Sequence, residues 1–108
     1  MSEPISLKDD ALEEAPWSKA ETALIEFWSF RCEASRLVVP AMSAAPKQMP
    51  ETDVYKVNVD DCPYLAAHFN VSMVPMLLAF KSGSELARLR AHWTLDDLKA
   101  LFTEQSDG

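Results

Sequence analysis

The sequence predicts an α/β fold, with one mixed sheet of about five strands flanked by four helices, and three observations carry that prediction. The run Thr22-Ala23-Leu24-Ile25-Glu26-Phe27-Trp28 is nearly continuous in apolar strand formers, as suits a strand buried on both faces. A second such run, 54–59, lies beyond a helical pattern, and strands joined through a helix run parallel with a right-handed crossover. Two further strand patterns flank Lys81-Ser82-Gly83-Ser84, which reads as a hairpin turn and adds antiparallel strands.

Taken in order, residues 4–7 predict a short edge strand. Asp9-Asp10 offer a cap for a helix over Ala11-Leu12-Glu13-Glu14, which Pro16 limits. From Cys32 to about Ala45, Leu37, Val38, Ala41, Met42 and Ala45 recur at helical spacing. Pro40 is expected to kink this helix and Pro46 to end it. After strand 54–59, Asp60 or Asp61 is the expected cap of a short helix with Pro63 in its first turn, Leu65, Ala66 and Phe69 facing inward, and Asn70 as a left-handed stop. Met76 to Phe80 predicts the third core strand, and Leu86 to Ala91 alternates like an edge strand with one wet face. Thr94 and Asp97 form a capping-box-like pair ahead of Leu95, Leu98, Leu101 and Phe102 in the last helix.

The length of 108 residues fits one domain over 1–108, with 1–3 and 105–108 expected to fray. A net charge of -7 argues against nucleic acid, whose phosphates require a basic footprint, and against anionic membranes. No apolar stretch approaches the roughly 20 residues of a membrane helix. The start, Met1-Ser2-Glu3-Pro4-Ile5-Ser6, lacks a basic region followed by an apolar run, so a cytoplasmic setting is the expectation. Two cysteines, Cys32 and Cys62, are too few for a disulfide framework and lack zinc-ligand spacing, so no metal is expected.

Several separated landmarks resemble the thioredoxin family. They are the segment from Trp28 through Cys32 to Pro40, the strand Lys56-Val57-Asn58-Val59-Asp60, and the stretch Val71-Ser72-Met73-Val74-Pro75-Met76-Leu77-Leu78-Ala79-Phe80 with its turn. The resemblance spans roughly residues 4–104 and implies the thioredoxin fold. It makes Cys32 the attacking cysteine. A thiol at a helix start faces unpaired N–H groups and the positive end of the helix dipole, both of which favour the thiolate. Arg31 and Arg36 add positive charge and Glu33 subtracts some. Ser35 stands where the family has its resolving cysteine, and Glu33-Ala34 replaces the usual Gly-Pro. A serine hydroxyl cannot break a disulfide, so self-contained dithiol reduction is not expected, although Ser35 could hydrogen-bond the Cys32 sulfur.

Glu26 matches the family's buried acid and Lys56 its lysine, a pair that there assists proton transfer to the resolving cysteine. With Ser35 in that place, a structural Glu–Lys pair is an equal reading. Val74-Pro75 resembles the cis-proline loop, whose preceding residue pairs with extended substrate. The resemblance places Trp28, Phe30, Arg31, Val59, Val74, Pro75 and Ala91 around the sulfur as a substrate groove, with Trp28 bonded to Asp60. Cys62, in an Asp-Asp-Cys context, is a secondary thiol open to oxidation or a small buried residue. His68 and His92 read as surface residues.

Two functions follow as expectations. One is thiol–disulfide exchange through Cys32, forming mixed disulfides with protein or glutathione that an external thiol resolves; no cofactor is needed beyond glutathione in that role. The other is a non-catalytic adaptor or chaperone that binds a protein partner through the cis-proline groove. Either way the partner is a protein with a disulfide or an extended segment.

Overall fold

The computed structural model describes residues 3–103. Strand β2 (Thr22–Trp28) lies at its centre, and its five consecutive residues Ala23 to Phe27 are all buried. On one side β3 (Thr52–Asn58) runs parallel to it, with β1 (Ile5–Ser6) parallel beyond. On the other side β4 (Met76–Lys81) runs antiparallel, followed by β5 (Ser84–Arg90). The sheet order is therefore β1-β3-β2-β4-β5. Ser82 and Gly83 take positive φ values of 50° and 86°, the conformation that a tight hairpin requires between twisted strands.

Period-two alternation along β2 divides the core into two layers. Ala23, Ile25 and Phe27 pack with Trp17, Leu65 and Phe69, under helices α1 (Ala11–Glu14) and α3 (Pro63–His68). Leu24 packs with Val38, Met42, Ala45, Trp93 and Leu98, under α2 (Val39–Gln48) and α4 (Leu95–Thr103). Trp93 is 1% exposed and donates its indole N–H to Met42 Sδ at 3.4 Å, a core anchor that the apolar patterning did not single out. The Thr94–Asp97 capping box is reciprocal: the Thr94 N–H reaches Asp97 Oδ2 at 2.9 Å and the Asp97 N–H reaches Thr94 Oγ1 at 3.2 Å.

Three local expectations are corrected. First, the segment after Cys32 begins as a 3-10 helix, Glu33–Val38, and turns α-helical only at Val39. Pro40 has no N–H to offer the Arg36 carbonyl and its ring crowds that oxygen, so the preceding turn takes the tighter form, with the Val39 N–H on Arg36. Second, α2 runs through Pro46 to Gln48. A proline removes one bond, and the Met49 N–H still reaches the Ala45 carbonyl at 2.8 Å to close the last turn. Third, the cap of α3 is Asp9 rather than Asp60 or Asp61. Its carboxylate accepts the Leu65 N–H at 2.8 Å and the Tyr64 N–H at 3.3 Å. Asp10, at the N-cap of α1, makes no side-chain capping bond. Asn70 does adopt a left-handed φ of 56° after α3. The fraying expected at 105–108, and at residues 1 and 2, lies outside the described residues.

Candidate functional site

Cys32 sits where the chain leaves the carboxyl end of β2 and enters the 3-10 turn. Its N–H is held by the Ser29 carbonyl at 3.2 Å, and its own carbonyl accepts the Ser35 N–H at 3.0 Å. The thiol is half-buried and donates to the Val74 carbonyl at 3.4 Å. The Val74–Pro75 peptide bond is cis, and Pro75 is buried beside the start of β4. Segments 42 residues apart in sequence thus meet at one sulfur.

Around this contact the surface carries exposed apolar side chains. Phe30 is 79% exposed and Met73 is 51% exposed. Phe30 stands edge-on to Trp28, with ring centroids 4.7 Å apart. Val59 and Val74 are half-buried against the α3-side core. Ala91 is exposed and follows Arg90, whose register partner Met76 follows the buried Pro75. Arg31, Glu33 and Arg36 are exposed beside the cysteine. The Ala91–His92 peptide bond is also cis, and His92 is exposed.

A second region lies beneath the same segment. A cavity of about 410 Å³ is lined by Glu26, Trp28, Ser35, Met42, Lys56 and Glu3, among others. Cys32 is not on its wall. Glu26 is 5% exposed, and burial pushes its carboxyl from 4.5 up to about 7, against the opposing pull of the Lys56 charge. Glu26 and Lys56 are register partners across β2 and β3. Their charged ends do not close an ion pair; among the described residues the ion pairs are Lys8–Asp61 and Glu85–Arg88. Ser35 is 5% exposed, and its hydroxyl accepts the Ser29 N–H at 3.4 Å rather than bonding the Cys32 sulfur.

The Trp28–Asp60 bond is corrected too. Asp60 Oδ2 is taken by the Ser29 hydroxyl at 2.7 Å, and among the described residues the buried Trp28 Nε1 has no partner. Ser29 is the residue that sequence reasoning missed. A serine directly after a buried strand, ahead of a carboxylate at the end of the neighbouring strand, was the available signal. The secondary-thiol reading of Cys62 is corrected as well. Cys62 is 0% exposed, its thiol donates to the Leu7 carbonyl at 3.4 Å, and burial, then Asp9, pushes its pKa up. A shielded sulfur held in its thiol form is a poor target for modification in the folded protein. Among the described residues no cluster of His, Cys, Asp and Glu could hold a metal ion, and no helix is long and apolar enough to cross a membrane.

A half-buried cysteine at a strand-to-helix junction, facing a cis-proline loop on a mixed sheet, defines a thiol site of a particular fold class. The thioredoxin family model matches residues 3–104, and the chain belongs to the thioredoxin family. It is similar to the thioredoxin of Chlamydia caviae, at 30% identity over 83 residues, covering 77% of this chain and 81% of that protein. It is also similar to the thioredoxin of Chlamydia trachomatis serovar D, at 32% identity over 65 residues, covering 60% of this chain. That match spans 64% of the relative's own length, slightly under two thirds. Among solved structures, a mutant thioredoxin from Halobacterium salinarum NRC-1 superimposes with a TM-score of 0.84 at 23% identity, covering 95% of this chain and 90% of that one. At that identity the likeness establishes the fold.

Proposed function

We propose that the protein carries out thiol–disulfide exchange through Cys32 alone. The Cys32 thiolate attacks one sulfur of a client disulfide or of oxidised glutathione. A Cys32–sulfur bond forms, the client's sulfur–sulfur bond breaks, and the displaced sulfur leaves as a thiolate that takes up a proton. An external thiol such as glutathione then attacks the client sulfur of the adduct and returns Cys32 as a thiolate, so the protein is neither oxidised nor reduced overall. The observation that carries this reading is the Cys32 thiol, half-buried and 3.4 Å from the Val74 carbonyl beside cis-Pro75, with Ser35 in place of a second thiol and Cys62 sealed in the core. In this reading the Val74 backbone pairs with an extended client segment, while Trp28, Phe30, Arg31, Pro75 and Ala91 shape the groove. Ser35 and the Glu26–Lys56 pair support the segment from below, with no resolving step to serve.

The exposed Phe30 and Met73 favour a second reading, an adaptor that holds a protein partner at the same groove without covalent exchange. Covalent capture separates the two. Protein isolated from cells under nonreducing conditions should carry thiol-cleavable adducts, and a Cys32→Ala variant should carry none. Partners that co-purify equally with Cys32→Ala, with no covalent adduct on the natural protein, overturn exchange and leave the adaptor.

A further inference from the structure

Ser29 stands directly after β2 and three positions ahead of Cys32. It is 6% exposed, and all of its hydrogen-bonding groups are engaged. The hydroxyl donates to Asp60 Oδ2 at 2.7 Å and accepts the Arg31 N–H at 3.1 Å. The Ser29 carbonyl accepts the Cys32 N–H at 3.2 Å, and the Ser29 N–H reaches Ser35 Oγ at 3.4 Å. Asp60 is itself braced, since its N–H donates to Asn58 Oδ1 at 3.0 Å and the preceding Val59 N–H reaches the Trp28 carbonyl at 3.0 Å.

From this arrangement we propose that Ser29 is the positioning residue for Cys32, fixing the 29–32 turn to the β3 end through Asp60. The inference rests on Cys32 being the attacking thiol. A hydroxyl on a carboxylate at 2.7 Å is a charge-assisted bond, stronger than its neutral counterpart. The same oxygen immobilises the amide immediately before Cys32. One buried atom therefore ties the thiol's loop to the chain at the carboxyl end of β3. Without it, the Arg31 amide loses its partner and the turn loses its tie to Asp60, keeping the Cys32–Ser29 and Ser35–Cys32 backbone bonds and the long contact from Ser29 N–H to Ser35. The sulfur then samples positions away from Val74, and orientation of the reacting atoms is lost. Asp60 is thus bonded by the Ser29 hydroxyl, and among the described residues the Trp28 indole N–H has no partner.

The experiment follows the reaction of Cys32 with a small aromatic disulfide. Cys32 forms a mixed disulfide with one half and releases the other as a coloured aryl thiolate, whose appearance gives the rate. Ser29→Ala should slow this reaction by about tenfold. Ser29→Thr, which restores the hydroxyl, should return it to within about twofold, and Asp60→Asn should fall between. In parallel, hydrogen exchange at the Arg31 amide should accelerate in Ser29→Ala and recover in Ser29→Thr. A natural reaction rate in Ser29→Ala, with the Arg31 amide loosened, overturns the proposal and leaves Ser29 as a fold residue. If Ser29→Ala does not fold, a natural rate in Asp60→Asn overturns it equally. Failure of the threonine variant to rescue either readout also counts against it. A natural Cys32 inert to the aromatic disulfide overturns both this inference and the exchange reading. A reactive Cys32 that captures no client overturns only the latter.

Discussion

The segment 28–35 separates two regions built on opposite physical terms. Above it, the Cys32 rim leaves apolar groups in water: Phe30 is 79% exposed and Met73 51%. Below it, the cavity holds a carboxyl, Glu26, at 5% exposure. An exposed aromatic beside a half-buried thiol forgoes burial that a partner could supply. A buried acid without an ion pair costs stability and gains only a proton held to unusually high pH. The rim therefore has the features of a surface that meets something, and the cavity those of an interior that tolerates something. In a dithiol relative the second cysteine would connect the two. Here Ser35 lines the cavity with its hydroxyl on Ser29, and Cys32 is not on the cavity wall.

The largest effect that tests this division is on the cavity side. The Glu26 carboxyl is raised from 4.5 to about 7, so between those values the folded chain holds a proton that the unfolded chain has released. Its contribution to stability is therefore fully present below about pH 4.5, falls as pH rises, and is lost above about pH 7. The span is about 3 kcal/mol. Glu26→Gln, which mimics the protonated acid, should remove this slope and raise stability above pH 7 by about that amount while changing little at pH 4. Urea unfolding at a series of pH values measures it. On the rim, the rate of the Cys32 reaction at a fixed pH should be nearly unchanged. A large change there would show that the regions communicate and would break the comparison.

The parts of this architecture that rest on local pattern were legible in the sequence. β2 reads as 22–28 because its five central residues, Ala23 to Phe27, are buried on both faces, and the Thr94–Asp97 box reads correctly because both partners lie within one helical turn. What failed depends on contacts between distant segments. Asp9 was expected to cap its own helix and instead caps α3, because folding brings β1 and the following loop against the start of α3. Pro46 was expected to stop α2, yet the lost bond is a single one near an end that closes without it. Asp60 was assigned to Trp28 by family resemblance. The Ser29 hydroxyl competes for that carboxylate from a buried turn whose geometry no sequence pattern displays. The positions of Cys32, Glu26, Lys56 and Pro75 followed from the resemblance; the separation of thiol from cavity did not.

Ser35→Cys tests whether the division follows from that one residue. A thiol at this position would give the molecule an internal attacker for the Cys32 adduct. If the natural chain depends on an external thiol for every release, as proposed, reduction of a protein disulfide in the presence of a recycling reductant should rise by at least about tenfold in the variant. Accumulated covalent adducts should fall correspondingly in the capture experiment. Equal activity in both chains would mean that the Glu33-Ala34 turn, rather than the missing sulfur, keeps the regions apart.

Phe30→Ala probes the rim alone. With most of its surface already in water, its removal should change folding stability by less than about 0.5 kcal/mol. If the exposed ring meets the client, association should weaken about fivefold, read by titrating a captured client peptide against natural and variant protein. A loss of stability with unchanged client affinity would reassign Phe30 to packing on Trp28.

The smallest effect on function is expected at Cys62. Its sulfur is fully buried against the Leu7 carbonyl, in the α3-side core. Cys62→Ala leaves a small void and should cost about 1 kcal/mol in unfolding free energy. Adduct formation at Cys32, its rate with a small disulfide and the pH slope from Glu26 should all remain as in the natural chain. Both thiols should nevertheless label in denaturant, whereas only Cys32 should label in the folded protein. Rapid labelling of Cys62 under native conditions would mean that the α1–α3 layer opens readily. The molecule would then carry a second reactive sulfur, and the contrast between an active rim and a sealed interior would no longer hold.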